Sequence, residues 1–220
     1  MNKISLNEAK KIKLFNRVEK KFICDSSQLF QVLEHLKNWY IVTENEETFF
    51  EYHSLYFDTS SLDMFNDHEN SVNHRQKIRI REYSDSEKFL EIKDKEKEKG
   101  ITRKSRIPVD SYELDGERQW IDKNLIYDTS NLKKTLDVRY KRMTLISEDK
   151  SIRMTIDKDI CFYNYQTKIS DDLSDIIVIE IKQPNPDNET EIEEFINSIG
   201  IYKTKFSKYH IGIKMTKEES

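Results

Sequence analysis

The stretch Arg75-Gln76-Lys77-Ile78-Arg79-Ile80-Arg81 decides how the rest of the chain is read. At the two-residue period of a strand, Arg75, Lys77, Arg79 and Arg81 share one face, and Gln76, Ile78 and Ile80 share the other. Like charges spaced about 6–7 Å apart along a strand repel one another, and an anion lying along them relieves the repulsion. The stretch therefore predicts a strand whose apolar face packs on a core and whose charged face lines a cavity for a chain of phosphates.

The same inversion recurs on both sides of it. Phe89-Leu90-Glu91-Ile92-Lys93 reads as the returning arm of a hairpin over Ser84-Asp85-Ser86, with Leu90 and Ile92 opposite Glu91 and Lys93. The segment 101–109 puts Thr102, Lys104 and Arg106 on one face. Upstream, the segment 17–24 sets Arg17, Glu19 and Lys21 against Val18, Phe22 and Cys24, and the segment 49–58 reads as a further strand. Downstream, 138–145 and 152–157 form a hairpin across 147–150, and 176–182 sets Ile177, Ile179 and Ile181 against Val178, Glu180 and Lys182.

Helices fall between these strands. Asp25, Ser26 or Ser27 caps one that carries Leu29, Leu33 and Leu36 on a single stripe. Asn188 and Glu191 form a capping box for another, which carries Ile192, Phe195, Ile196 and Ile199 and closes at Gly200. Residues 111–135 lack strand rhythm and are expected to hold helices. Hairpin follows hairpin with no βαβ rhythm, so the expected fold is α+β, an antiparallel sheet or barrel with helices outside. Closing the barrel places the charged faces in its lumen. Residues 1–16 read as an N-terminal arm and 17–215 as a single domain.

Composition limits the partners. The 220 residues are 36% hydrophobic and 35% charged, enough apolar side chain for a core, and only 4 Gly and 3 Pro exclude a glycine-rich phosphate loop. A net charge of −4 excludes general attraction to nucleic acid or an anionic membrane, so any anion site must be local. Cys24 and Cys161 make no disulfide framework and have no partner at metal spacing, and both are expected to be buried thiols. No apolar run is long enough for a membrane segment, and the first sixteen residues lack a signal-peptide core, so a cytoplasmic protein is expected. His35 reads as a surface residue, while His53 and His74 stand near strands and are ligand candidates. No Ser/His/Asp order suggests acyl transfer.

Glu19, Glu91 and Glu180 each precede a lysine by two residues. Singly each is a charge partner; together they offer oxygen ligands suited to Mg²⁺ or Mn²⁺.

In series these blocks resemble a known family. Arg17-x-Glu19-x-Lys21-Phe22, Ser54-Leu55-Tyr56-Phe57-Asp58-Thr59, Lys77-x-Arg79-x-Arg81, Phe89-x-Glu91-x-Lys93, Tyr140-x-Arg142, Arg153-x-Thr155-x-Asp157, Glu180-x-Lys182 and Ser207-Lys208-Tyr209 resemble the VTC domain, in that family's order. The VTC domain belongs to the triphosphate tunnel metalloenzymes, or CYTH-like superfamily. The resemblance implies an eight-stranded antiparallel tunnel barrel with a basic lumen. It also implies a polyphosphate polymerase that moves the γ-phosphate of ATP onto a growing inorganic polyphosphate chain. Catalysis then falls to Lys21, Arg79, Arg81, Lys93, Arg142 and Arg153, and phosphate binding to Lys77, Lys104, Arg106, Lys182 and Lys208. Glu180 carries the metal, Mn²⁺ or Mg²⁺, with Glu19 as a second ligand. Arg17 stands where the hydrolase and cyclase branch has the first Glu of Glu-x-Glu-x-Lys, which favours transfer or binding over hydrolysis. A tripolyphosphatase or nucleoside triphosphatase, and a non-catalytic polyphosphate-binding module, are the alternatives.

Overall fold

A computed structural model describes residues 1–12, 18–83, 86–184 and 189–218. The chain forms β1 (Asn2–Ser5), α1 (Leu6–Lys11), β2 (Val18–Cys24), α2 (Ser26–His35), β3 (Tyr40–Thr43), β4 (Phe50–Asp58) and α3 (Asp63–Glu69). There follow β5 (His74–Glu82), β6 (Lys88–Glu96), β7 (Ile101–Val109), α4 (Arg118–Asn124), β8 (Lys133–Ile146) and β9 (Arg153–Asn164). The last elements are β10 (Ser170–Leu173), β11 (Ile177–Gln183), α5 (Glu191–Ser198), β12 (Lys203–Thr204) and α6 (Lys208–Met215). Arg17, Ser84, Asp85 and Asn188 lie outside the described residues. None of the helices in the described residues is long and apolar enough to cross a membrane.

The antiparallel sheet with helices is as expected, but the eight-stranded closed barrel is corrected. Among the described residues there are twelve strands, and their pairing order ends at β12 and β7 without closing on itself. The surplus consists of β1, β3, β10 and β12, which run only 4, 4, 4 and 2 residues. Strands that short show no period in the sequence, whereas β2, β5, β6, β7 and β11 do.

The chain divides into two compact units. The first comprises residues 1–51, 140–160 and 173–206. Here β11 lies between β2 and β9, both antiparallel to it; β12 pairs with β2, β3 with β8, and β1 runs parallel to β3. Ile177, Ile179 and Ile181 point with Phe22, Met154 and Ile156 into a core completed by Val32 and Leu36 from around α2 and by Ile192 and Ile196 of α5. Asp25 caps α2, its carboxylate accepting the Gln28 N–H at 2.8 Å while Gln28 Oε1 accepts the Asp25 N–H at 3.2 Å. At the start of α5 the carboxylate of Glu193 accepts the Thr190 N–H at 2.9 Å, and Lys20 Nζ reaches its other oxygen at 2.8 Å. Gly200 ends that helix at φ 82°, the left-handed region that favours glycine.

The second unit comprises residues 52–139, 161–172 and 207–220. The antiparallel run β4-β5-β6-β7 turns Leu55, Phe57, Ile78, Ile80, Leu90 and Ile92 onto Met64 of α3 and Ile121 of α4. Asp58, fully buried at the end of β4, accepts backbone N–H groups from Thr59, Met64 and Phe65 and the hydroxyl of Tyr209. Its carboxylate thus satisfies the first turn of α3 and ties α6 to it. Cys24 is buried as expected, and burial pushes its thiol up to about 12. Cys161 is exposed, a correction: on β9 it alternates with the buried Ile160 and Phe162 and so takes the opposite face.

Candidate phosphate-binding clusters

In the second unit, the face of β4–β7 opposite the core is charged. Strand register sets Tyr56 across from Arg79, Arg79 across from Glu91, and Glu91 across from Arg106. Directly opposed residues present their side chains on one face, so these four make a row. Lys77, Lys93 and Lys104 make the next row, and Arg81 stands across from Ser54 and Phe89 in the row on the other side.

Glu91 is the centre of this face. It is 2% exposed and accepts Arg79 Nε at 2.9 Å, Arg79 Nη2 at 2.7 Å and the Tyr83 hydroxyl at 3.2 Å, with Lys104 Nζ on its second oxygen. Burial alone would raise its carboxyl, but Arg79, Arg81 and Lys104 hold it well below the ordinary range. Burial of the Lys104 ammonium, opposed by Glu91 and helped by Arg79 and Arg81, pushes it down to about 7. Arg79 Nη1 also donates to the Tyr56 hydroxyl at 2.9 Å. Although burial opposes it, the field of Arg79 and Arg81 draws the buried Tyr56 phenol below its usual value. Arg81 Nε donates to Ser54 Oγ at 3.3 Å, and Lys77 Nζ to Ser207 Oγ at 2.8 Å. Arg106 lies 4.4 Å over the ring of Phe89, while Lys93 is exposed. Lys208 opens α6, close enough to lower the Tyr56 phenol further.

The first unit holds a second cluster. Glu180 faces Lys21 across one ladder and Thr155 across the other. Lys182 Nζ lies 2.6 Å from Glu180 Oε1, and Lys21 Nζ lies 3.3 Å from Glu180 Oε2. Lys182 also stands 3.8 Å from Glu19, and Lys21 donates to the Phe206 carbonyl at 3.1 Å. Against burial, Lys182, Lys21 and Arg142 hold the Glu180 carboxyl well below the ordinary range. Arg142 grips Asp157 with two parallel bonds of 2.5 and 2.7 Å. Arg153 donates to the carbonyls of Ala9 and Ile12 at 3.0 Å each, a contact that satisfies the end of α1.

The sequence-predicted residues thus fall into two groups. Lys77, Arg79, Arg81, Lys93, Lys104, Arg106 and Lys208 lie in the second unit; Lys21, Arg142, Arg153, Lys182, Glu19 and Glu180 lie in the first. The sequence reading places Tyr56 in the family pattern without a role and gives none to Tyr83, although Ser54, Tyr56 and Asp58 alternate with Leu55 and Phe57 at strand period. His53 and His74 are engaged elsewhere: His53 bonds Asp137 at 2.5 Å and Tyr112 at 2.6 Å, and His74 bonds Asp94 at 2.9 Å. His35 stacks on Phe195 with ring centroids 3.9 Å apart.

Among the described residues no group of three or more His, Cys, Asp and Glu is arranged to hold a metal ion. A Mg²⁺- or Mn²⁺-type ion held by one or two carboxylates, with phosphate oxygens and water as its other ligands, would have to displace Lys21 or Lys182 from the Glu180 oxygens.

No curated protein matches the chain at a significant level. Among solved structures, a Bacillus halodurans protein proposed as an adenylate cyclase aligns over 88% of this chain and 96% of its own, with a TM-score of 0.58 and 15% identity. That likeness shows a shared fold. An inorganic triphosphatase aligns over 77% of each chain at 12% identity, but its TM-score of 0.29 carries no argument. The sequence model of the VTC domain matches residues 16–217, nearly the whole length, and the chain therefore belongs to the VTC domain family.

Proposed function

We propose that this chain lengthens inorganic polyphosphate with the γ-phosphate of ATP. The observation that carries the reading is the pairing of its carboxylates. Glu91 is held by Arg79 and Lys104, and Glu180 by Lys21 and Lys182. Hydrolysis calls for a base free to take a proton from water, and carboxylates whose oxygens are held by cations are poor bases. A chain-end phosphate oxygen is already anionic and needs none.

In the transfer, that oxygen forms a bond to the γ-phosphorus while the bond from γ-phosphorus to the β–γ bridging oxygen breaks. ADP leaves with the electron pair, and the chain is one phosphate longer. The work of the protein is positioning and charge stabilisation. Lys21, Arg79, Arg81, Lys93, Arg142 and Arg153 are assigned to the reacting phosphates, and Lys77, Lys104, Arg106, Lys182 and Lys208 to holding the chain. Glu180, with Glu19, would hold Mn²⁺ or Mg²⁺, which when bound neutralises charge on phosphate oxygens. The reading takes 17–215 as the working domain, 1–16 as its arm, and the cytoplasm, where ATP is available, as its place.

Incubation with ATP and Mn²⁺ tests it. ADP and long-chain polyphosphate are expected in equal phosphate equivalents, with losses on the order of 100-fold for Arg79→Ala or Lys21→Ala. ADP with free phosphate would instead make the protein a triphosphatase. Salt-sensitive binding of polyphosphate without ADP would make it a binding module.

A further inference from the structure

The row that Glu180 forms with its neighbours contains a side chain with no assigned task. β11 lies between β2 and β9 so that Lys21, Glu180 and Thr155 stand directly abreast. Abreast in antiparallel ladders, the three side chains share one face. Thr155 is 4% exposed, and its Oγ1 is buried with no hydrogen-bond partner among the described residues. A buried hydroxyl left unpaired costs stability, and a valine of the same branched shape would fill the position without that cost. The apolar neighbours Met154 and Ile156 go to the core on the opposite face, so core packing does not call for a hydroxyl here.

The surroundings say what the hydroxyl lacks. Two residues along β9, Asp157 is taken by the bidentate grip of Arg142. Across β11, both oxygens of Glu180 are taken by Lys21 and Lys182. The row is rich in N–H donors and its carboxylate acceptors are engaged, so an added acceptor would complete it. An anionic oxygen satisfies the ammonium groups and the hydroxyl together, and bonds to a charged acceptor are the stronger kind.

We propose that Thr155 is a ligand-binding residue whose hydroxyl donates to an oxygen of a phosphate chain held beside Glu180 by Lys21 and Lys182. The inference rests on the phosphate-chain reading above and extends it by one contact. It requires binding alone and not turnover.

Thr155→Val and Thr155→Ser in the full chain test it, with sodium tripolyphosphate as the probe and no metal added. Two quantities are read: the denaturant midpoint of the free protein and the calorimetric affinity for tripolyphosphate. Thr155→Val is expected to keep or raise the midpoint and to weaken binding about 10-fold, the loss of one hydrogen bond to a charged acceptor. Thr155→Ser is expected to bind within about 2-fold of the parent, since it keeps the donor. The proposal is overturned if Thr155→Val binds as the parent does, whatever its midpoint. A lowered midpoint with unchanged affinity would assign the hydroxyl to a structural water. Loss of binding in Thr155→Val that Thr155→Ser shares to the same extent overturns it as well. If the parent chain itself fails to bind tripolyphosphate, this proposal and the phosphate-chain reading fall together; if it binds without consuming ATP, only the polymerase activity falls.

Discussion

Glu91 is the residue whose removal separates structure from binding in the second unit. Its carboxylate is nearly inaccessible and holds Arg79, Lys104 and Tyr83 at once. Glu91→Gln keeps the shape but removes the charge that balances Arg79, and Lys104 gives up its proton more readily. Breaking a buried ion pair by losing one partner costs on the order of 3 kcal/mol, so thermal unfolding of the free variant should fall by several degrees. Tripolyphosphate supplies negative charge to the same face and should recover more stability in the variant than in the parent. A smaller recovery in the variant would show that the face does not take phosphate. The pH dependence has a definite sign. The folded-state pKa of Glu91 lies below the unfolded value near 4.5, so its contribution is fully present above 4.5 and is lost as pH falls through the folded value. Lys104 runs the other way in binding. With its ammonium pushed down to about 7, it is mostly neutral at pH 8, and an adjacent polyanion raises it again. Tripolyphosphate binding at pH 8 should therefore take up a proton through Lys104, read as a binding enthalpy that changes between buffers of different ionisation enthalpy. The Lys104→Met variant should show a smaller change than the parent.

At the scale of the element, α6 is held by a contact the sequence does not show. Gly212 lies against β8 and β9 so closely that an added Cβ would stand 2.6 Å from Leu136 Cδ2 and 2.6 Å from Phe162 Cδ1. Both neighbours are buried, at 0% and 2% exposure, and have little room to give. Gly212→Ala gains up to about 1 kcal/mol of helix propensity and loses about 1–3 kcal/mol to overpacking. A net fall in denaturant midpoint is expected, with phosphate affinity reduced as well, because α6 carries Lys208 and its cap Ser207 receives Lys77. An unchanged midpoint would mean that Leu136 and Phe162 yield freely. The strands, by contrast, are legible: alternation in β5, β6 and β11 names Ile78, Ile80, Leu90, Ile92, Ile179 and Ile181, all of them buried. Period two is a local signal, and the side-chain face follows from it directly. What the sequence could not show was pairing. That Glu91 would bind Arg79 and Lys104, that Asp157 would bind Arg142, and that Arg153 would turn to the end of α1 are matters of register and of neighbours far along the chain. The short strands β1, β3, β10 and β12 leave no such signal because a period needs more than four residues to declare itself.

Over the whole molecule the charges nearly cancel, with 37 Lys and Arg against 41 Asp and Glu. A protein with net charge −4 does not attract a polyanion at long range, so affinity for one must come from short contacts within the basic clusters. This distinguishes linear inorganic phosphate from nucleic acid. In tripolyphosphate every unit presents bare oxygens in succession, and closely spaced guanidinium and ammonium groups meet them without interruption. In DNA the phosphates are separated by sugars along the strand, and the acidic remainder of the surface meets the flanking backbone. At equal phosphate concentration in about 50 mM salt, tripolyphosphate should raise the unfolding temperature by several degrees and a single-stranded DNA oligonucleotide should leave it unchanged. Raising the salt to about 500 mM should shrink the tripolyphosphate shift without abolishing it, since partly buried cations such as Lys21 and Arg142 are screened less than surface ones. Equal shifts from the two polyanions, both lost in salt, would mean that these cations act as an ordinary charged surface and that the strand faces are not built for a phosphate chain.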